Sequence, residues 1–272
     1  MKKLGWRNIK IYDHATILNR IRIIRKNMSG LLPVYGKEKI MLKKFAKNNN
    51  ISINEILSMR NSVKIQLEIN ASRKFHFHEE KIKNKFNDLT ELLEEEPNTQ
   101  RNKILIKYFI KSIGMPFSQI YRTISKMPAY GKLTDTNKQY IMKINEMIRE
   151  KEHHSKKKSE AFEHMLEDYL KINDLSFKTE LDIRNMNEHV IATPDILFYE
   201  PIILELDGRD YEIRWMDAKN YMLIDVPFIL KSLNKQATKY NTIYGLGAFV
   251  FHYGLDSSIK IPGAILLDGS FL

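Results

Sequence analysis

Two apolar, β-rich runs followed by an Asp-Gly turn constrain the fold more than any other feature of this chain. The segment ATPDILFYEPIILELDGRDYEIRWMDAKNY, residues 192–221, contains the runs DILFY and IILEL, and Asp207-Gly208 comes directly after the second. An Asp-Gly pair beside β-rich runs is typical of a two-residue hairpin turn. The sequence therefore predicts a further strand from about Tyr211 to Ala218.

Charged side chains at the end of that strand form a candidate reactive site. Asp217 and Lys219 are two positions apart, and side chains on a strand alternate between its faces. We therefore expect the carboxylate and the ammonium side by side, with Met216 and Ala218 on the other face. Asp195, at the start of a neighbouring strand, is expected to reach the same rim.

The two carboxylates indicate a metal ion. Carboxylates that converge on one spot repel each other, and a divalent cation between them relieves the repulsion. Oxygen ligands favour a hard ion, Mg²⁺ or Mn²⁺. A lysine at the same rim can orient or help to deprotonate a water that attacks phosphorus. The residues thus predict metal-dependent phosphodiester hydrolysis.

Two triplets in this region resemble a known signature. Thr193-Pro194-Asp195 and Asp217-Ala218-Lys219 are together similar to the motif of the PD-(D/E)xK nuclease superfamily, and the first triplet resembles its TPD-motif branch. The likeness to the codanin-interacting nuclease family extends to EHMLEDYLKINDLSF at 163–177 and to QATKY at 236–240 with the later GLGAFVFHYG. The N-terminal half is similar only in architecture. Animal relatives tend to have Glu-Ser-Lys where this chain has Asp-Ala-Lys.

The resemblance implies an α/β restriction-endonuclease-like core, preceded by an all-α region with helix-turn-helix-like hairpins, and it gives each site residue a role. The implied metal ligands are Asp195, Asp217, the backbone carbonyl of Ala218 and the helix acid Glu163. The other implied catalytic residues are Lys219, which would handle the water, and Gln236 and Tyr240, which would flank the site or the phosphate. The products would carry a 5′-phosphate and a 3′-hydroxyl.

Two of these assignments have ordinary structural alternatives. Glu163 shares its helix with further acids, at Glu160 and Glu167, and such acids usually form a solvated face. Gln236 and Tyr240, four apart and so on one helical face, can equally join their helix to the sheet by packing and hydrogen bonds.

Charge divides the chain. Residues 1–158 hold 34 basic and 15 acidic side chains, net +19, whereas the remaining 10 basic and 18 acidic side chains give −8. The sequence predicts a basic, all-helical nucleic-acid-binding region over 1–132, a charged helical connector over 133–158 and the nuclease domain over 159–272. The expected elements of that domain are a helix, three strands, a helix and a strand, with a last strand near Ala264–Leu267.

The basic region contains a helix-turn-helix candidate. Ser52 and Glu55 form a capping-box pattern for a helix, and Asn50 stands in the turn before it, where a left-handed backbone is favoured. Helical hairpins of this kind also occur in proteins that never touch DNA. The predicted contacts to nucleic acid are Lys43, Lys44, Arg60 and Lys64.

Composition excludes several classes of protein but leaves two alternatives to a nuclease. The absence of cysteine rules out disulfides and thiolate metal sites and favours an intracellular location, the nucleus in a eukaryote and otherwise the cytoplasm or nucleoid. No apolar stretch is long enough for a membrane span. The expected partner is nucleic acid, DNA rather than RNA, with a homodimer and, by the resemblance, a protein partner as further possibilities. The rivals are a non-catalytic nuclease-fold DNA-binding or adaptor protein and a helix-turn-helix regulator.

Overall fold

A computed structural model of the chain describes residues 1–28, 30–34, 36–95, 99–186 and 192–272. The strands within them are β1 Lys3–Trp6, β2 Ile11–Tyr12, β3 Phe177–Thr179, β4 Ile196–Leu206, β5 Arg209–Lys219, β6 Gly247–Phe251, β7 Leu255–Asp256 and β8 Ala264–Asp268. The helices are α1 His14–Asn27, α2 Gly36–Asn48, α3 Ile53–Ser72, α4 Phe75–Glu95, α5 Thr99–Ile113, α6 Phe117–Ile124, α7 Pro128–Lys132, α8 Asp135–Ile172, α9 Glu180–Met186 and α10 Pro227–Tyr244.

The chain forms two compact units. One comprises Met1–Ile24, Ala46–Ser62 and Ser155–Leu272, and the other comprises Arg25–Phe45 and Val63–His154. The first unit contains a mixed sheet in the order β1-β4-β5-β6-β8, with β3 also paired to β4. Strands β4 and β5 are antiparallel, whereas β5, β6 and β8 run parallel to one another. The carboxyl ends of β5, β6 and β8 therefore meet at one edge.

The turn between β4 and β5 is the predicted hairpin. Asp207 and Gly208 have φ values of 51° and 74°, the pair of left-handed residues that a type I′ turn requires. Strand β5 covers the predicted span from Tyr211 to Ala218, and β8 covers the predicted last strand. These parts of the prediction are confirmed.

Strand β4 departs from the sequence expectation. The runs DILFY and IILEL were expected to form separate strands, but residues Ile196–Leu206 form one. Its pairing with β5 changes register between Leu197 and Ile202, on either side of Pro201. Proline has no N–H to give to the ladder, so the strand continues past it while the pairing is interrupted.

Two helices cover the sheet. On one face, Phe162 and Leu166 of α8 share a buried core with Met216 and Ala218 of β5. On the other face, the ring of Trp215 lies edge-on to that of Tyr240 of α10, with 4.9 Å between centroids. Removal of these apolar surfaces from water holds the end of β5 between α8 and α10.

The N-terminus requires a correction to the wholly helical region predicted for 1–132. Lys3–Trp6 forms β1, which pairs in parallel with Ile203–Leu206 of β4. The indole N–H of Trp6 also donates to the backbone oxygen of Asp268, at 2.9 Å. Because Met1–Ile24 and Ala46–Ser62 group with the sheet, the two compact units do not follow the predicted divisions after residues 132 and 158.

The predicted start of α3 is confirmed in detail. Asn50 has φ of 51°, the Ser52 hydroxyl accepts from the N–H of Asn54 at 3.1 Å, and the Glu55 carboxylate accepts from the N–H of Ser52 at 3.1 Å. These bonds satisfy donors that a helix start leaves unpaired.

The second unit is helical. Its core consists of apolar side chains from α4, α5, α6 and the first part of α8, including Phe86, Phe109, Ile120 and Ile141. The rings of Phe86 and Phe109 lie 5.7 Å apart. Each helix therefore buries one apolar stripe against its neighbours.

Candidate active site

The end of β5 brings Asp217 and Lys219 into contact. The Lys219 ammonium forms an ion pair with Oδ1 of Asp217, and their side chains are only 15% and 3% exposed. Residues two apart on a strand share a face, so this pairing confirms the predicted side-by-side arrangement. The ammonium also lies over the ring of Phe249, 5.4 Å from its centroid.

Helix α10 supplies two further contacts to the same carboxylate. The side-chain amide of Gln236 donates to Oδ2 of Asp217 at 2.9 Å and to the Tyr240 hydroxyl at 2.8 Å. The Tyr240 hydroxyl lies 3.0 Å from Oδ2 of Asp217 and 3.0 Å from the backbone oxygen of Thr193. A phenol has one proton, so it donates to one of these acceptors at a time. Both side chains thus fix the orientation of Asp217.

Asp195 reaches this rim from the start of β4. Its Oδ2 accepts from the backbone N–H of Ala218 at 2.7 Å. The contact follows from the sheet register, in which Ile196 lies opposite Met216. The structure therefore brings Asp195, Asp217 and Lys219 together, as the sequence predicted.

The electrostatics of the rim reflect an excess of buried negative charge. Burial, with the charge of Asp217, raises the pKa of Asp195 from 3.8 to about 8. Burial, with the charges of Asp217 and Glu180, also raises the pKa of Glu163. Burial acts to lower the pKa of Lys219, but Asp217, Tyr221 and Asp195 together outweigh it, so the net shift is upward. The predicted helix acid thus belongs to the same electrostatic neighbourhood, while Lys219 stays charged.

The carboxylates at the rim are chemically suited to bind a divalent cation, but their side chains are not positioned around one. Carboxylates whose pKa is raised by burial and mutual repulsion are stabilised by a cation of hard character. However, no three acidic or histidine side chains among the described residues are grouped closely enough to hold one. Both oxygens of Asp217 contact protein donors instead. A metal would therefore have to compete with Lys219 for Asp217.

Sequence reasoning missed the residues that position the Thr-Pro-Asp triplet. The Thr193 hydroxyl donates to Glu180 of α9 at 2.9 Å, and Arg184 lies within reach of both. One turn beyond Tyr240, the Tyr244 hydroxyl donates to the backbone oxygen of Ala192 at 2.6 Å. The signal was present, because Gln236, Tyr240 and Tyr244 recur at four-residue intervals on one helical face.

The predicted nucleic-acid contacts are only partly available. Lys43 and Lys44 are exposed, and Lys64 pairs with Glu68 of the same helix at 2.8 Å. Arg60 is only 3% exposed. A buried guanidinium cannot reach a phosphate, so the prediction for Arg60 is wrong. Its position on the inner side of α3 follows from apolar neighbours at Ile56 and Met59 that bury the same stretch of helix.

No helix in the described part of the chain is long and apolar enough to cross a membrane.

The candidate site lies in a part of the sequence that is similar to known proteins. Residues 131–269 match the family described as "Protein of unknown function TPD sequence-motif". The matched span contains the entire candidate site. "Uncharacterized protein L539" of Acanthamoeba polyphaga mimivirus is 40% identical over 270 residues, covering 99% of this chain and 96% of the viral protein. No solved structure matches this chain.

Proposed function

Because this chain belongs to the TPD sequence-motif family, and because its Thr-Pro-Asp aspartate meets a buried Asp-Lys pair, we propose that it is a metal-dependent nuclease of the PD-(D/E)xK type. The observation that carries the proposal is the convergence of Asp195, Asp217 and Lys219 at one rim of the sheet. The proposed reaction is hydrolysis of a phosphodiester bond in nucleic acid, with DNA preferred to RNA.

The charge of the rim supports a divalent cation, Mg²⁺ or Mn²⁺, as the cofactor. The groups that would hold it are Asp195, Asp217, the carbonyl oxygen of Ala218 and Glu163. Once bound, such an ion offsets negative charge on the phosphate oxygens and makes water a better nucleophile. The pKa values of Asp195 and Glu163 are raised because their ionised forms are destabilised here, and a bound cation would stabilise those forms.

The protein groups of the site have distinct tasks in this proposal. Lys219 positions the attacking water and stabilises negative charge beside it, since its ammonium is held at the rim by Asp217. Gln236 and Tyr240 keep the carboxylate of Asp217 in one orientation. Water adds to phosphorus as the bond to the 3′ oxygen breaks, and a proton passes to that oxygen. The products are a 3′-hydroxyl and a 5′-phosphate.

The basic residues of the N-terminal part supply the proposed grip on the backbone. The net charge of +19 over residues 1–158 suits neutralisation of phosphates, and Lys43 and Lys44 are exposed. From the family resemblance, we also propose that the protein forms a homodimer and binds a separate protein partner.

A second candidate function is non-catalytic binding of DNA, as a nuclease-fold adaptor. The observation that favours it is the engagement of both Asp217 oxygens by Lys219, Gln236 and Tyr240. A carboxylate saturated in this way has less capacity to hold a metal ion.

The test is to incubate the purified protein with branched, flapped, single-stranded and duplex DNA and RNA in Mg²⁺, Mn²⁺ or EDTA. Asp217→Asn and Lys219→Ala are expected to abolish cleavage, whereas the control Asp210→Asn, an exposed acid at the other end of β5, should cut like the unmodified chain. Cleavage that persists in both site variants refutes the assignment. Binding to these substrates without cleavage in any metal favours the adaptor.

A further inference from the structure

His252 lies beside the candidate site, just beyond the end of β6. In the parallel pairing of β5 with β6, Lys219 is opposite Phe251, and the backbone N–H of His252 donates to the oxygen of Lys219 at 3.0 Å. His252 therefore neighbours Asn220, whose side-chain oxygen lies 2.9 Å from Nδ1 of the imidazole. The histidine is partly exposed, so a ligand can reach it.

The imidazole ring is held in a fixed orientation. It stacks on Phe162 of α8 with 4.3 Å between centroids and an angle of 1°, and Phe162 is fully buried. Because Nδ1 lies beside the side-chain oxygen of Asn220, Nδ1 carries a proton. Nε2 is therefore the ring nitrogen that can meet a ligand, as an acceptor in the neutral ring and as a donor in the protonated ring. Within the described part of the chain, Nε2 makes no hydrogen bond. The stacking and the hydrogen bond to Asn220 therefore hold Nε2 in one position, unlike the polar atoms of a mobile surface side chain.

Two lysines act electrostatically on this histidine. Lys158 is exposed and lies four residues before Phe162, so it projects from the same face of α8. Lys10 is adjacent through its backbone oxygen, which accepts from the N–H of Leu255 at 3.1 Å. Its ammonium also pairs with Glu55 at 3.3 Å. Burial and the positive charges of Lys10 and Lys158 lower the pKa of His252.

Glu55 offsets the charge of Lys10, but the second nearby acid does not cancel the charge of Lys158. Asp268 also acts on His252, but it is fully buried. Its Oδ2 accepts from the backbone N–H groups of Ile9 and Lys10, at 2.9 and 2.7 Å. The exposed side of the cluster thus presents the ammonium of Lys158 and the Nε2 edge of the imidazole. A bound anion offsets the lysine charges that lower the pKa of His252, so the ring can take up a proton and donate from Nε2 to an oxygen of that anion.

We propose that His252 and Lys158 bind a backbone phosphate of the nucleic acid next to the phosphodiester that is cleaved. This inference rests on the proposed nuclease function and names a subsite of it. His252 and Asn220 follow the strand ends that carry Lys219 and Phe251, so a polynucleotide strand that reaches Lys219 passes over the cluster. The subsite would hold the strand in register for cleavage at the rim.

Binding measured without metal tests the subsite separately from cleavage. The affinity for a fluorescently labelled short single-stranded DNA is measured in EDTA over a range of salt concentrations. Lys158→Ala and His252→Phe, which keeps the stacked ring but removes both nitrogens, are each expected to weaken binding about fivefold. Lys158→Ala should also reduce the magnitude of the salt slope by about one. Lys157→Ala, one residue away on another face of α8, is the charge-matched control and should bind like the unmodified chain.

The outcomes separate the two proposals. Weakened binding in the two variants, with no cleavage by the unmodified protein in Mg²⁺ or Mn²⁺, supports phosphate binding at His252 and Lys158 and refutes the nuclease. Cleavage by the unmodified protein together with unchanged binding in both variants refutes the subsite alone. Chemical unfolding checks that His252→Phe is folded, and if it is not, the exposed Lys158 decides the question.

Discussion

Tyr240 and Asp217 share a hydrogen bond of 3.0 Å inside the sheet-bearing unit, although 22 residues separate them in the chain. The tyrosine is only 4% exposed, and its ring packs on Trp215. Its hydroxyl therefore transmits the position of α10 to the carboxylate at the end of β5.

Tyr240→Phe is expected to lower the free energy of unfolding by about 1–2 kcal/mol, because it removes the one hydroxyl proton that the backbone oxygen of Thr193 and the carboxylate of Asp217 share. If the nuclease proposal holds, kcat should fall more than KM rises. Tyr244→Phe is the matched control, since among the described residues its hydroxyl hydrogen-bonds to the oxygen of Ala192 alone. It should lose stability without a comparable loss of kcat. Equal kinetic effects in both variants would contradict a role for Tyr240 in orienting Asp217.

Lys219→Met should destabilise the protein by about 3 kcal/mol at neutral pH, because it leaves the Asp217 carboxylate buried without its cation. The double variant Lys219→Met with Asp217→Asn should recover part of that loss, since no charge is then left unpaired. Urea unfolding measures both. A double variant less stable than Lys219→Met would show that the pair is not coupled in this way.

Stability in the absence of divalent metal should fall as the pH rises from about 4 to about 8. The folded pKa of Asp195 is raised from 3.8 to about 8, so the folded state binds this proton more tightly than the unfolded state does. The stabilisation is therefore complete below the unfolded pKa and is lost as the pH rises through the folded pKa. Asp195→Asn should flatten the profile over this window, as measured by urea midpoints at successive pH values. An unchanged slope in the variant would assign the pH dependence to other groups.

Gly247→Ala should destabilise the protein by about 2 kcal/mol or more. An added Cβ would lie 2.1 Å from the Trp215 ring, and Trp215 is fully buried. Gly5→Ala, which meets nothing within 4 Å, is the control and should leave the thermal midpoint nearly unchanged. Similar midpoints for the two variants would show that Trp215 can shift at little cost.

The double variant Lys43→Ala with Lys44→Ala should bind DNA with a salt slope smaller in magnitude by about two, if these lysines contact phosphates. Both are exposed, so the fold should be retained. Fluorescence anisotropy at several salt concentrations gives the slope. A salt slope equal to that of the unmodified chain would show that Lys43 and Lys44 do not contact phosphates.

The parts of this architecture that local sequence encodes were predictable. The Asp207-Gly208 turn needs only two adjacent residues with positive φ, and the shared face of Asp217 and Lys219 needs only strand alternation. The rim was predicted for the same reason, because Asp195 directly precedes β4 and Asp217 lies on β5, the two strands that this hairpin joins.

The parts that depend on distant segments were not predictable. Strand β1 has only four residues and forms by pairing with β4. A segment this short has no periodic pattern from which the pairing could be predicted. Burial of Arg60 and the anchoring of Thr193 by Glu180 likewise depend on which segments meet in space. Continuation of β4 through Pro201 was missed because proline usually ends a strand.

The pairing of Lys3 with Ile203 has a consequence for biosynthesis. While a ribosome elongates the chain, Lys3 of β1 is made 200 residues before its partner Ile203, and segments begin to fold as they emerge. Strand β1 must therefore wait without its hydrogen-bonding partner, and such long-range parallel pairing is slow. Completion of this sheet edge should be among the last events in the maturation of the newly made protein.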